Sequence, residues 1–213
     1  MLDDRLKLYT PKEVREMLTS DRRLYGTPYP LPHPRAKITA DDDGKMKGLI
    51  TEHAVANLLN LLIFDYKDLY VFHSIGNYGD EDGETDNILI YQNTLVIIEA
   101  KSLSNFDSVS IDIDGKMYGR RGKKRIALGG HNNLVKKVSA YRERYPFMKV
   151  YGFYVVRQAQ KTGSSYSGLY VSTLEKILNE ASLILDNAKT ATGSTAVLLK
   201  ETMDHCIRHE VVN

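Results

Sequence analysis

The order of apolar and polar positions predicts three consecutive strands that follow a buried helix. Residues 47–64 are mostly apolar and compatible with a helix, which indicates a helix that is buried on much of its circumference. Runs rich in Ile, Val and Leu over residues 69–75, 86–91 and 94–101 are typical of strands. The last two runs indicate a hairpin that is buried on both faces.

The second half of the chain predicts further strands and helices. Residues 109–113 and 116–118 indicate a second, more exposed hairpin, and residues 119–125 indicate a basic, glycine-rich loop. A helix over residues 131–144 then precedes a strand over residues 149–156, and C-terminal helices follow. Together these elements predict an α/β protein in which helices flank a mixed β-sheet.

The first 43 residues are predicted to form an N-terminal helical arm with a Pro-rich linker. Thr10-Pro11-Lys12-Glu13 is a typical helix start, because Thr can cap, Pro suits the first turn and Glu completes a capping box. Four of the six prolines lie between residues 25 and 34, where neither helix nor sheet is expected. Residues 44–213 are the predicted main domain.

Composition and charge narrow the class of protein. The 213 residues are 42% hydrophobic and 26% charged, as is ordinary for a soluble domain, and the formal net charge is only +2. Any affinity for nucleic acid must therefore be local. A single cysteine excludes an intramolecular disulfide, and neither a secretory signal nor a bilayer-long apolar run is visible. We expect a cytoplasmic protein with no membrane partner.

The first hairpin brings three charged residues together. A two-residue turn at Gln92-Asn93 sets Asp86 opposite Glu99, and opposed residues of an antiparallel pair share a face. Lys101 lies two residues further on and points to the same face. A turn that is one residue longer would place the two carboxylates on opposite faces.

This trio predicts a metal-dependent hydrolase. Two opposed carboxylates beside apolar strands repel each other, and a divalent cation removes the conflict. A few hard oxygen ligands that leave positions for water suit Mg²⁺, with Mn²⁺ as a substitute, and the lysine can orient a water or stabilise developing negative charge. Glu52, on the buried helix, either joins this site or is an ordinary helix carboxylate.

The same residues resemble a known family. Asp86 followed by Ile98-Glu99-Ala100-Lys101, with Glu52 upstream on a helix, resembles the core of the PD-(D/E)XK nucleases. More narrowly, residues 48–156 resemble the nuclease-related domain (NERD) branch of that superfamily. The resemblance implies a restriction-endonuclease-like fold, a central sheet flanked by helices, and cleavage that leaves a 5′-phosphate.

The resemblance also implies roles for individual residues. Asp86 and Glu99 would bind the metal with help from the Ala100 carbonyl, Lys101 would position the attacking water, and Glu52 would be an accessory acid. The chain departs from the family where Asn-Pro-Leu is often followed by Gln. Here that run is Asn132-Asn133-Leu134-Val135-Lys136, so Lys136 is the residue expected to touch the site or a phosphate.

A cluster of positive charge follows the second hairpin. The basic residues expected to contact backbone phosphates are Lys116, Arg120, Arg121, Lys123, Lys124 and Arg125. The alternative is a solvated hairpin tip. The sequence thus predicts a Mg²⁺-dependent nuclease that acts on DNA, and cutting both strands of a duplex favours a homodimer. The alternative function is a non-catalytic nucleic-acid-binding or assembly protein that retains the fold.

Overall fold

The structure is a computed structural model that describes residues 12, 16, 18, 20–28, 31, 40–76, 84–103, 105–112, 115–129, 133–157, 160–161, 165–190 and 195–206. Most of the predicted N-terminal arm, including its helix start at Thr10, lies outside these residues. The described part of the chain contains no helix that combines the length and apolar composition needed to cross a membrane.

Along the described part of the chain, runs of consecutive strands are separated by helices. In order they are β1 (Leu24–Tyr25), α1 (Ala40–Asn60), a 3₁₀ helix (Leu61–Phe64), β2 (Tyr70–Ile75), β3 (Thr85–Tyr91), β4 (Thr94–Lys101), β5 (Ser108–Ile111), β6 (Met117–Arg121), β7 (Lys124–Ala127), α2 (Asn133–Arg144), β8 (Lys149–Val156), β9 (Gln160–Lys161), β10 (Ser165–Tyr166), β11 (Leu169–Thr173), α3 (Ile177–Leu185) and α4 (Thr195–Asp204).

Seven of the described strands form the main sheet in the order β1-β2-β3-β4-β8-β11-β10. Strands β2, β3 and β4 are antiparallel neighbours, whereas β4, β8 and β11 run parallel. Helix α1 packs on β4, α2 on β8, α3 on β11 and α4 on β2. The predicted mixed α/β architecture, with a sheet flanked by helices, is therefore confirmed.

The sheet separates two hydrophobic cores. On one face, Val55 and Leu59 of α1 pack with Val96 and Ile98 of β4, and α3 covers the same side. On the other face, Ile97 packs against α2, α4 and the second sheet, which has the strand order β7-β6-β5-β9. Because side chains alternate along a strand, Glu99 and Lys101 share the face of Ile97. The predicted site therefore lies on the side covered by α2 and the second sheet.

The prediction of a basic loop over residues 119–125 is wrong, because these residues form part of a β-hairpin. Arg121 pairs with Lys124 across a turn at Gly122 and Lys123. Gly122 adopts a φ of 56°, in the left-handed region that glycine enters without strain and that a two-residue hairpin turn requires. The glycine that suggested a flexible loop instead closes a tight turn.

The boundary between the predicted arm and the main domain falls inside a helix. Helix α1 begins at Ala40, seven residues before the predicted start of the buried helix, and crosses residue 43. Leu24–Tyr25 of the predicted arm pairs in parallel with β2. At least this part of the N-terminal segment is therefore built into the main sheet.

Candidate active site

The hairpin of β3 and β4 has the register that the sequence predicts. Tyr91 pairs with Thr94, and the pairing continues to Asn87 opposite Ile98. Gln92 opens the two-residue turn with a φ of 50°, in the left-handed region such turns use. One further step in this register sets Asp86 opposite Glu99, on the face that α2 covers.

The hydrogen-bonded ladder changes at Asp86. Asp86 Oδ2 accepts the backbone N–H of Ala100 at 2.7 Å, so a side-chain carboxylate takes the place of a strand carbonyl. In an antiparallel ladder, the N–H and C=O of one residue point to the same neighbouring strand. The Ala100 carbonyl is therefore directed toward the side on which Asp86 lies.

Strand β2 also departs from regular geometry next to Asp86. In its pairing with β3, His73 is opposite Asn87 and Ile75 is opposite Thr85. Ser74 and Asp86 lie between these two pairs. Ser74 is buried and has a φ of 52°, a conformation that non-glycine residues rarely adopt. Strained backbone of this kind concentrates at functional sites, where the surrounding structure holds it in place.

Glu99 is bound by two lysines. The residue is 1% exposed, and its Oε2 lies 3.0 Å from Lys101 Nζ. Its Oε1 lies 2.6 Å from the Nζ of Lys137 on α2, which also donates to the backbone carbonyl of Glu84 at 2.8 Å. Both carboxylate oxygens therefore have an ammonium partner, which is the compensation that a buried charge needs.

The surroundings shift the ionisation of the predicted site residues. Burial, followed by the charge of Glu99, raises the pKa of Asp86 well above its ordinary value. Burial acts to lower the pKa of Lys101, but the carboxylates of Glu99 and Asp86 outweigh it and raise the pKa. Lys101 is therefore fully charged at neutral pH, while the proton of Asp86 is held more tightly than in water.

Glu52 approaches the site from the other face of the sheet, because α1 packs on the opposite side from α2. It is partly buried, and that burial raises its pKa, while the charge of Lys101 acts in the opposite direction. The charges of Glu84 and Glu99 also act on it. The structure thus places Glu52 within electrostatic range of the trio.

Tyr154 lies beside Glu99 on the neighbouring strand β8. It pairs with Glu99 in the parallel register of β4 and β8, and it is fully buried. Its hydroxyl oxygen accepts the backbone N–H of Leu134 at 3.2 Å, which fixes the first turn of α2 to the sheet. Burial raises the pKa of Tyr154, so its hydroxyl stays protonated.

The residue of α2 that reaches Glu99 is Lys137, one position beyond the predicted Lys136. Lys136 is exposed, whereas Lys137 is buried. The sequence carries a signal for this, since Leu134, Val138 and Tyr141 form a buried stripe at helical spacing and Lys137 falls within it. A contact of Lys136 with a phosphate stays a prediction.

The β6–β7 hairpin gathers the predicted basic residues on one surface element. Arg120 pairs with Arg125, and the guanidinium of Arg125 lies 3.7 Å from the ring centroid of Tyr118. Arg121 Nε donates to a loop carbonyl at 2.9 Å. The residues that are exposed on this hairpin or at its base are Lys116, Arg120, Arg121, Lys123, Lys124 and Arg125.

The donor set matches a divalent cation that keeps several waters. Within the described ranges, no three His, Cys, Asp or Glu side chains form a group that could hold a metal ion. Asp86, Glu99 and the Ala100 carbonyl provide two carboxylates and one backbone oxygen. Mg²⁺ is commonly bound through one or two carboxylates, with water in its other positions, so these residues fit it.

Comparisons with protein-family models, with curated proteins and with solved structures find no match to this chain.

Proposed function

We propose that this protein is a Mg²⁺-dependent nuclease that hydrolyses phosphodiester bonds in DNA. The observation that supports this most strongly is the register of the β3–β4 hairpin, which sets Asp86 opposite Glu99 with Lys101 bound to Glu99. Asp86, Glu99 and the Ala100 carbonyl would hold the cation. Bound there, Mg²⁺ or Mn²⁺ would lower the pKa of a coordinated water and polarise the phosphate.

The protein residues then have separate roles. The Lys101 ammonium is charged and lies two residues beyond Glu99 on the same face of β4. It is placed to orient a water and to stabilise negative charge on the phosphate in the transition state. The N–H of Ala100 fixes the Asp86 carboxylate by one hydrogen bond, so the ligand is oriented before anything binds. Glu52, whose pKa is raised by burial, is the accessory acid in this proposal.

The order of the elements supports the finer fold assignment. Helix α1, the antiparallel strands β2, β3 and β4, helix α2 and the parallel strand β8 follow one another along the chain. We take this as a restriction-endonuclease-like core, with β5, β6 and β7 as an added hairpin sheet. Resemblance to the nuclease-related domain branch is part of the same proposal.

DNA is the proposed partner because of the charge on the β6–β7 hairpin. Arg120 and Arg125 are directly opposed, and the carboxylate of Asp112, 3.7 Å from Arg125, offsets one of these two like charges. A phosphate backbone would neutralise the exposed positive charge that remains on the hairpin. A homodimer, which brings two copies of this site together, would cleave both strands of a duplex.

The direct test is a cleavage assay with supercoiled plasmid and with single-stranded DNA and RNA oligonucleotides. We expect the wild-type protein to cleave DNA with Mg²⁺ or Mn²⁺ and to lose the activity in EDTA. Asp86→Asn removes a proposed metal ligand but keeps an acceptor for the Ala100 N–H, so it should fold and be inactive.

The alternative function is a non-catalytic nucleic-acid-binding or assembly protein on the same scaffold. The intact set of Asp86, Glu99 and Lys101 argues against it, since a binding protein has no need for two opposed carboxylates beside a lysine. Binding of DNA without cleavage under any metal condition would favour this alternative.

A further inference from the structure

Lys137 Nζ lies where two oxygens from different elements converge. Glu99 Oε1 on β4 is 2.6 Å away, and the carbonyl oxygen of Glu84, just before β3, is 2.8 Å away. Lys137 is 8% exposed and Glu99 1% exposed, so the ion pair is shielded from solvent. The ammonium reaches this position from α2, on the side of Glu99 away from its Oε2 contact with Lys101.

A carboxylate oxygen and a backbone carbonyl are ligands that a hard divalent cation also takes. An ammonium between them satisfies the same two oxygens with one positive charge and needs no metal. The other oxygen of Glu99 faces Lys101, and the Asp86 carboxylate is fixed beside Ala100. Both oxygens of Glu99 therefore face an ammonium, but the two sides differ. Lys137 is 8% exposed and is enclosed between Glu99 and a carbonyl, whereas Lys101 is 20% exposed and lies on the side where the Asp86 carboxylate also acts on it.

We propose that Lys137 Nζ is a built-in cation at the position where a second divalent ion would otherwise bind, so that the site takes a single divalent ion on the Asp86 side of Glu99. This inference rests on the proposed function. It adds the number of ions and assigns Lys137 as a positioning residue that neutralises Glu99 from α2.

The test counts Mn²⁺ ions bound per chain, by electron paramagnetic resonance of free Mn²⁺ and by isothermal titration calorimetry, without nucleic acid. We expect one ion for the wild type. Lys137→Ala opens space beside Glu99 Oε1 and the Glu84 carbonyl, so it should bind two ions at millimolar Mn²⁺. Lys137→Gln fills the space with a neutral amide, so it should bind one ion, about tenfold more tightly or better, because a nearby positive charge is gone.

Lys149→Gln is the matched control for metal binding. It removes the same charge from an exposed lysine at the start of β8, where Lys149 pairs with Thr94 at the opposite end of β4 from the site, and its Mn²⁺ count and affinity should equal those of the wild type. Two ions bound to the wild type, or one ion bound to Lys137→Ala with unchanged affinity, would overturn the inference. If Lys137→Ala does not fold, Lys137→Gln decides, since unchanged or weaker Mn²⁺ binding there contradicts the built-in cation.

Cleavage by the wild type separates this inference from the proposed function. Metal-dependent cleavage together with two bound ions would contradict the single-ion site and support the nuclease activity. Absence of both Mn²⁺ binding and cleavage would contradict the single-ion site and the nuclease activity.

Discussion

Asp86 Oδ2 accepts the backbone N–H of Ala100 at 2.7 Å, at the point where the ladder between β3 and β4 ends. A carboxylate thus replaces a strand carbonyl and is held opposite Glu99 by the backbone rather than by a charged partner of its own. This one hydrogen bond orients the proposed metal ligand in advance of the cation.

Replacing Asp86 by Asn should stabilise the protein in the absence of metal. Burial and the charge of Glu99 raise the pKa of Asp86, which means that its charged form is disfavoured in the folded state. Asn keeps an acceptor for the Ala100 N–H and places no charge beside Glu99. Asp86→Asn should therefore raise the unfolding free energy at pH 8 in EDTA.

Urea unfolding measures this free energy without Mg²⁺ and with roughly 10 mM Mg²⁺. The cation should raise the stability of the wild type and leave that of Asp86→Asn unchanged. A variant that is less stable than the wild type in EDTA would show that the Asp86 charge is favourable in the apo fold.

Replacing Glu99 by Gln should have the opposite effect on stability. Glu99 accepts from both Lys101 and Lys137, and removal of its charge leaves two ammonium groups, one of them buried, without their carboxylate. Breaking a buried ion pair from one side costs about 3–5 kcal/mol. Glu143→Gln, an exposed change on α2, is the control and should stay within about 0.5 kcal/mol of the wild type in urea unfolding.

The sequence predicts that Asp86 and Glu99 are opposed, but it does not predict that Glu99 is compensated by a lysine of α2. The hairpin register follows from the sequence, because the two-residue turn at Gln92 and Asn93 fixes which residues of β3 and β4 are opposed. Within the hairpin, Lys101 compensates one oxygen of Glu99. The partner of the other oxygen is Lys137, whose approach depends on how α2 lies on β8, and this packing is not encoded in the hairpin.

The β6–β7 hairpin is not predicted by its sequence, for a similar reason. Its sequence has few apolar residues to show strand alternation, and its glycines suggest a loop. Gly119 is needed because a Cβ there would lie 2.3 Å from a ring carbon of Phe106, so the strand packs its backbone against that ring. The close approach is a tertiary contact, and it turns a basic, glycine-rich segment into a strand.

Removing charge from this hairpin should weaken DNA binding without unfolding the protein. The quadruple variant replaces Arg120, Arg121, Lys123 and Lys124 by Ser, all at exposed positions. Each lost phosphate contact lowers the slope of log K against log salt by about 0.9, so a decrease of up to about 3.6 is expected. Fluorescence anisotropy with a labelled duplex at several salt concentrations measures both the affinity and the slope.

The control for this variant carries the same change in net charge elsewhere on the surface. It replaces four exposed lysines by Ser, at Lys149, Lys176, Lys189 and Lys200. Equal salt slopes in the two quadruple variants would show that the hairpin is a solvated tip and that DNA binds elsewhere.

His73 should make the protein less stable in mild acid. Its ring nitrogens lie 2.7 Å from Asn87 Oδ1 and 2.9 Å from Asn60 Oδ1, and burial lowers its pKa to about 4, with His53 adding to the effect. Between this value and the unfolded value of about 6.5, the unfolded chain binds the proton and the folded protein does not. Stability therefore falls as the pH drops from 6.5 toward 4, by up to roughly 3 kcal/mol for this group.

Urea unfolding at pH 7.0 and pH 4.5 measures this contribution, and His73→Gln provides the comparison. The glutamine keeps a donor and an acceptor for the two asparagines but does not titrate, so the variant should lose less stability between the two pH values. An equal loss in both proteins would assign the acid sensitivity to other groups.

The proposed nuclease site is tested most directly by the rate of Mg²⁺-dependent DNA cleavage by Lys101→Ala, compared with Lys149→Ala. Lys149 is an exposed lysine at the opposite end of the same sheet, where it pairs with Thr94, so the two variants lose the same charge at two ends of neighbouring strands. Lys101→Ala should cleave about 10²–10³ times more slowly than the wild type, with fold and Mn²⁺ binding retained, while Lys149→Ala should cleave at the wild-type rate. Equal cleavage rates for the wild type and Lys101→Ala would contradict the proposed nuclease site.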